Sequence, residues 1–128
     1  MEREFERDAI IGYETVAEAA VCQEETLESI VPDACPDIMR IVDVCGQAAL
    51  SGKQAREGAA AVSGTVRAVV LYQPEEGGGL CRMEMSLPFS CQLEAPGLTE
   101  AGTVLASPRL RCAEARVLNP RKVLLRVD

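Results

Sequence analysis

Hydrophobic and polar side chains alternate strictly near the middle of the chain. The apolar members are Cys81, Met83, Met85, Leu87, Phe89, Cys91 and Leu93. A period of two puts alternate residues on opposite faces of a β-strand, so this stretch predicts a strand with one face in the core and one in water. Met83 and Met85 are expected to pack in that core rather than to bind a soft metal. Pro88 cannot donate to a ladder, and we expect it to split the strand at a bulge or bend.

A second alternation precedes the first and predicts a neighbouring strand. Its inward members are Ala60, Val62, Gly64, Val66, Ala68, Val70 and Tyr72. Gly64 in mid-strand indicates a bulge or a close approach of another backbone. The run Gly77-Gly78-Gly79 is interpreted as a hairpin tip, because neither a P-loop nor a dinucleotide-binding motif surrounds it.

Shorter patterns complete the set of predicted strands. Residues 44–50 alternate and lead into turn-forming residues over 51–58, and residues 104–117 are extended in composition, with Pro108 at an edge. A tight turn over 118–121 leads into a last strand with Val123, Leu125 and Val127 facing inward. About five short strands joined by Gly/Pro turns predict a mainly β fold, either an antiparallel β-sandwich or a partly open barrel.

Two Pro-Asp pairs lie four residues apart in the segment Val31–Ile38, which we call the Pro-Asp corner. Each proline fixes its own φ and pushes the residue before it toward extended geometry. Asp37 is placed to cap a helix, so the sequence predicts a short helix over residues 38–42. Residues 14–28 contain good helix formers, although the tail of this segment fits a strand equally well.

The chain length fits one domain. With 128 residues, the expected division is a flexible arm or first strand at 1–13, an N-terminal segment carrying the corner at 14–43, and a β core at 44–128. The core must be aliphatic, because the chain has no Trp, two Phe and two Tyr.

Charge is distributed unevenly along the chain. Residues 1–40 contain 11 acidic and 3 basic side chains, whereas residues 41–128 contain 9 and 10. An acidic front argues against nucleic acid as a partner. The late basic residues could pair with this front within the molecule or bind a partner, and they are Arg109, Arg111, Arg116, Arg121, Lys122 and Arg126.

The chain has no histidine and six cysteines. Without histidine, a Ser-His-Asp triad is excluded. The cysteines form no CxxC motif, so neither a zinc site nor a redox motif is predicted, and buried free thiols are expected instead. The first fifteen residues are charged and lack the apolar segment of a signal peptide, which predicts a cytoplasmic protein without membrane insertion.

Asp33 and Asp37 are the one pair of carboxylates that invites a chemical interpretation. Two acids four residues apart can converge on one metal ion or one water, as in a metal-dependent hydrolase. The local sequence supplies no third ligand, and backbone capping explains both acids. We therefore expect a structural corner with no catalytic residue, no metal and no cofactor.

Four segments in a fixed order resemble the SPOCS domain of SipL-type spore coat assembly proteins from spore-forming Firmicutes. They read VPDACPDIMRIV, VSGTVRAVVLY, LPFSCQLEAPG and LNPRKVLLRV, and the resemblance covers about residues 14–128. The positions that match the family's motifs include Pro32, Asp33, Pro36, Asp37, Ile38, Tyr72, Arg121 and Lys122. The resemblance makes these eight residues the candidate partner-binding or structural set.

The resemblance implies a non-enzymatic interaction module in spore coat and cortex assembly, located in the mother-cell cytoplasm at the forespore or spore coat surface. The implied partner is the morphogenetic ATPase of the forespore surface. Family members often carry a LysM module that binds peptidoglycan. The alternative function is a glycan- or peptidoglycan-binding β domain, and the long β edges also allow a homodimer.

Overall fold

The computed structural model describes residues 14–128, and the arm or first strand predicted at 1–13 lies outside the described residues. The described chain forms six strands: β1 (Glu25–Ile30), β2 (Ile38–Arg56), β3 (Ala59–Pro74), β4 (Cys81–Glu94), β5 (Ala113–Asn119) and β6 (Lys122–Val127). It contains no helix within residues 14–128. The prediction of a mainly β fold is therefore confirmed.

The strands form two antiparallel sheets of three strands each. Sheet A has the order β1-β6-β5, and sheet B has the order β2-β3-β4. Both sheets place side chains in one core, which contains Val123 and Leu125 of β6 together with Val70 and Met85 of sheet B. Two sheets around one core fit the first of the two predicted architectures, the antiparallel β-sandwich, and Met83 and Met85 are buried as the alternation predicted.

The helix predicted after the Pro-Asp corner is wrong. Residues 38–42 begin β2, the longest strand, which pairs with β3. The register shifts twice here, which leaves Met39 and Val42 as bulge residues without a partner. Each bulge turns two consecutive residues outward, so the inward residues Ile38, Ile41 and Val44 recur every three positions. That spacing imitates one face of a helix.

Three other local predictions need correction. Pro88 does not split its strand, because β4 pairs with β3 in unbroken register. As β4 is an edge strand, a proline nitrogen that faces away from β3 costs no ladder hydrogen bond. The turn predicted over 51–58 is confined to Glu57-Gly58, with a bulge near Ser51. Of the extended segment 104–117, the strand β5 occupies only the end.

Gly64 lies where the backbone of β2 comes very close to β3. A close approach of another backbone was one of the two interpretations of this glycine from the sequence. A Cβ at this position would lie 2.2 Å from the carbonyl oxygen of Ala49 and 2.8 Å from the ring of Phe89. No other residue type fits this space, so the glycine lets β2 and the Phe89 ring rest against β3.

The strands of sheet B are much longer than those of sheet A. β2, β3 and β4 have 19, 16 and 14 residues, whereas the strands of sheet A have six or seven. Sheet A covers the half of sheet B that adjoins the Pro-Asp corner. Over the other half, called the distal half here, the cover consists of two irregular segments, 14–24 and 95–112.

All six cysteines are free thiols, as expected, but their predicted burial is wrong. Cys22 and Cys45 are exposed, and the other four are partly exposed. Between residues 14 and 128, no helix is long and apolar enough to cross a membrane.

Candidate functional site: the Pro-Asp corner and Arg121

The guanidinium of Arg121 fills the inside of the Pro-Asp corner. Its Nη1 donates to the carbonyl of Cys35 (2.7 Å) and to Oδ1 of Asp37 (3.0 Å). Its Nη2 donates to the carbonyls of Val31 and Pro32, each at 3.0 Å. A corner built around two prolines leaves carbonyl groups without ladder partners, and the planar fork of an arginine has enough donors to bind several of them together.

Arg121 lies in the turn between β5 and β6, and the backbone of this turn also binds both ends of the corner. The N–H of Val31 donates to the carbonyl of Arg121 (2.8 Å), and the N–H of Ile38 donates to the carbonyl of Pro120 (2.9 Å). Asn119 stabilises the turn by accepting a hydrogen bond from the N–H of Arg121 through Oδ1 at 2.8 Å. The sequence LNPR, which ends β5 and forms the turn into β6, therefore anchors the corner.

Tyr72 supports the corner from the core side. Its ring is fully buried, and its hydroxyl donates to the carbonyl of Pro36 at 3.0 Å. Burial, reinforced by the neighbouring Cys35, raises the pKa of Tyr72 to about 12. The hydroxyl is thus held protonated as a hydrogen-bond donor and is not poised to act as a general base.

The two predicted acids have different surroundings. Asp37 accepts from Arg121, and its backbone carbonyl accepts from the N–H of Glu75 at 3.0 Å, which ties the corner to the β3–β4 hairpin. The side chain of Asp33 is fully exposed, and its Oδ1 lies 3.9 Å from Nη2 of Arg121. Asp33 and Asp37 therefore flank a guanidinium. In the part of the chain from 14 to 128, no group of three or more acidic or cysteine side chains is arranged to hold a metal ion.

Lys122 does not join the corner. Its Nζ lies 3.2 Å from Oε1 of Glu28, across the β1–β6 pairing on the outside of sheet A. Of the eight candidate residues, seven lie at the corner or against it: Pro32, Asp33, Pro36, Asp37, Ile38, Tyr72 and Arg121. Their role in partner binding stays a prediction.

Arg126 forms a second charged cluster on the same sheet. It lies 2.9 Å from Glu114 and 3.0 Å from Glu24. The hydrogen bonds with Glu114 and then Glu24 raise the pKa of Arg126, and the bond from Arg126 lowers the pKa of Glu114. Burial and a hydrogen bond to Glu114 raise the pKa of the Cys112 thiol, which disfavours a reactive thiolate there. Three of the late basic residues, Arg121, Lys122 and Arg126, thus form ion pairs with acidic side chains between positions 24 and 37.

Sequence reasoning missed the carbonyl of Cys35, the carbonyl of Pro120 and the side chain of Asn119 as parts of this site. Asn119 and Pro120 lie in the segment LNPRKVLLRV, but nothing in that segment indicates a contact with the corner. The one available signal was the charge asymmetry, which allowed late basic residues to pair with the acidic front.

Comparison with known proteins gives one family. The family model described as SipL, SPOCS domain matches residues 37–118. The match begins at Asp37 and includes Tyr72, β2 to β4 and nearly all of β5. No curated protein and no solved structure matches the chain.

Proposed function

The chain belongs to the SipL SPOCS-domain family, and on this premise we propose that it is a non-enzymatic protein-interaction module in spore coat and cortex assembly. The family makes the domain sporulation-related. Its place of action would be the mother-cell cytoplasm at the forespore or spore coat surface, and its partner the morphogenetic ATPase of the forespore surface.

The observation that carries the proposal is that the polar side chains at the corner form hydrogen bonds within the corner. The guanidinium of Arg121 and the hydroxyl of Tyr72 both bond to groups of the corner itself. Catalysis needs a nucleophile within reach of a base, or charges aimed at a reacting atom. At the corner the guanidinium of Arg121 and the hydroxyl of Tyr72 are aimed at the chain's own backbone, which supports a structural role.

The shape of the corner also supports a docking role. Val31 and Ile38 are each 1% exposed and hold the two ends of the corner in the core, while Asp33 between them projects fully into solvent. A charged side chain on a rigidly held segment can recognise a partner with little loss of conformational entropy.

A pull-down with the full chain tests the proposal. We expect the immobilised protein to retain the forespore-surface ATPase and to leave purified peptidoglycan unbound. Retention of peptidoglycan without the ATPase would favour the alternative, a glycan-binding β domain. The Asp33→Ala variant, matched with Asp43→Ala on the nearby edge strand β2, then asks whether the corner contributes to ATPase binding.

The hydrolase hypothesis has a separate test. If Asp37 were catalytic, Asp37→Ala would remove turnover and leave the melting temperature unchanged. We expect the reverse, a loss of stability, because Asp37 accepts a hydrogen bond from Arg121.

A further inference from the structure

A large cavity lies over the distal half of sheet B, far from the Pro-Asp corner. It has a volume of about 1330 Å³ and is bounded by sheet B and the segments 14–24 and 95–112. Its floor includes inward residues of all three strands, among them Leu50, Val62 and Phe89. Binding cavities for small ligands have volumes of about 300–1,000 Å³, so this space admits several side chains of a ligand.

The walls of the cavity expose apolar side chains to solvent. Val16 and Val21 on one segment are 49% and 57% exposed, and Leu105 on the other is 89% exposed. The cavity therefore continues into an apolar mouth. Exposed apolar surface of this kind, next to a polar rim, is typical of interaction sites.

Hydrogen bonds hold the segments that form the mouth. Nε2 of Gln23 donates to the carbonyl of Ser90 at 3.0 Å, and Nη1 of Arg111 donates to Sγ of Cys22 at 3.1 Å. Residues 95–98 are fastened to the β2–β3 turn by two backbone hydrogen bonds, from Gly58 to Leu98 and from Ala95 to Gly58. These hydrogen bonds fix one end of segment 14–24 and both ends of segment 95–112.

The charge of the lining indicates the occupant. Five acidic residues line the cavity, against two basic ones, and the acids are Glu14, Glu18, Glu25, Glu94 and Asp128. The basic pair is Arg109 and Arg111, of which Arg111 donates a hydrogen bond to the Cys22 thiol, while Asp128 among the acids lies 3.6 Å from Arg126. A ligand with apolar groups and positive charge complements this lining, whereas an acidic ligand is repelled.

We propose that the distal cavity binds a segment of a partner protein that carries large apolar side chains flanked by lysine or arginine. This inference rests on the proposed function in taking a protein as the occupant. The chain's own residues 1–13 offer Phe5, Ile10 and Ile11, but they contain four acidic and two basic side chains. Their net negative charge suits the acidic rim poorly.

The first measurement uses the full chain and a short fluorescent peptide of leucine and lysine as the probe. We expect saturable binding by fluorescence anisotropy. A peptide with serine in place of leucine and one with glutamate in place of lysine should both bind at least about tenfold more weakly, because each lacks one of the two complementary features. Tighter binding of the glutamate peptide, of a peptide copying residues 1–13, or of laurate would overturn the proposal.

Variants of the cavity locate the bound probe. Leu105→Ser removes an exposed apolar wall and should weaken binding about tenfold, and Cys91→Trp fills the cavity from β4 and should weaken it at least as much. The introduced tryptophan is the only one in the chain and reports whether that variant folds. If Cys91→Trp does not fold, the result with Leu105→Ser alone tests the site. That variant should fold, because a side chain so exposed contributes little to folding.

Two matched double variants distinguish attraction of the peptide to the cavity rim from attraction to the net charge of the protein. Glu14→Gln with Glu18→Gln removes two charges from the cavity rim and should weaken binding of the lysine peptide about threefold. Glu75→Gln with Glu76→Gln removes the same charge at the distant hairpin tip and should leave binding unchanged. Equal weakening by both pairs would show attraction to net charge alone and contradict the proposal.

Failure of the cavity proposal can be distinguished from failure of the proposed function. Peptide binding that depends on Leu105, in a chain that retains no forespore-surface ATPase, supports the cavity and overturns the proposed function. ATPase retention with peptide binding that ignores Leu105→Ser and Cys91→Trp supports the function and overturns the cavity as the site.

Discussion

The guanidinium of Arg121 lies 3.0 Å from the carboxylate of Asp37, although 84 residues separate the two along the chain. The same guanidinium bonds to three backbone carbonyls of the corner. The shape of the corner therefore depends on the turn that enters the last strand.

Substitution of Arg121 should destabilise the fold. Arg121→Ala removes the donor from the carbonyls of Val31 and Cys35 and should lower the free energy of unfolding by about 3 kcal/mol. Arg121→Lys should lower it by about 2 kcal/mol, because one ammonium group cannot reach acceptors on both sides of the corner. Urea denaturation measures both. Arg116→Ala on the exposed face of β5 is the control and should change stability by less than about 0.5 kcal/mol. An Arg121→Lys variant as stable as the original chain would contradict the role given to the planar fork.

The two aspartates of the corner should differ in their effect on stability. Asp37→Ala removes an acceptor of Arg121 and should cost about 1 kcal/mol, a moderate value because both side chains are partly exposed. Asp33→Ala should change the free energy of unfolding by less than about 0.5 kcal/mol, since its side chain is fully exposed. Thermal melting of the two variants side by side makes the comparison, and equal losses would show that the corner is held differently.

Tyr72 should make stability fall in alkaline solution. Its pKa is about 12 in the folded chain and 10 when unperturbed, so the unfolded chain loses the phenolic proton first as the pH rises. The stabilisation from this group is complete below pH 10 and declines between pH 10 and 12. Urea midpoints of the original chain should fall more steeply in this window than those of Tyr72→Phe.

At neutral pH, Tyr72→Phe should itself cost about 1 kcal/mol, the value of one lost hydrogen bond to Pro36. Identical pH profiles for the two chains would indicate that Tyr72 titrates normally. The ultraviolet absorbance of tyrosinate gives an independent reading of the same pKa.

Gly64 should tolerate no side chain. Gly64→Ala places a methyl group 2.2 Å from a backbone oxygen of β2, and separating the strands should cost about 3 kcal/mol. Gly78→Ala is the matched control, because a Cβ there meets nothing within 4 Å. The control should be neutral or slightly stabilising, by up to about 1 kcal/mol. Calorimetric melting of both variants tests the contrast, and a stable Gly64→Ala protein would mean that β2 lies farther from β3.

The sequence predicted those parts of the fold whose signals are local. Strict alternation around Met83 and Met85 identified β4, and the turn before Lys122 identified the last strand. The start of β2 was mistaken for a helix because Asp37 was interpreted as a helix cap, whereas its carboxylate accepts from Arg121 and the residues after it pair with β3. Pro88 was mistaken for a break because its effect depends on whether β4 lies at an edge, which only the sheet order decides.

The candidate site was predictable in its members but not in its contacts. The motif residues around Pro32 and Pro36 were evident, since paired prolines and aspartates are typical of a rigid turn. That Arg121 fills this corner follows from the pairing of β1 with β6, which brings residues about ninety positions apart together. The distal cavity was not predicted, because it results from a difference in strand length between two sheets.

The pairing of β1 with β6 also sets an order of events during synthesis. Residues 25–30 leave the ribosome before β6, and their hydrogen-bonding partners at 122–127 come out nearly a hundred residues later. Until then β1 has no strand to pair with, and the Pro-Asp corner has no arginine. The hairpins of sheet B can assemble during translation, but the corner takes its final shape only when β6 is free to pair.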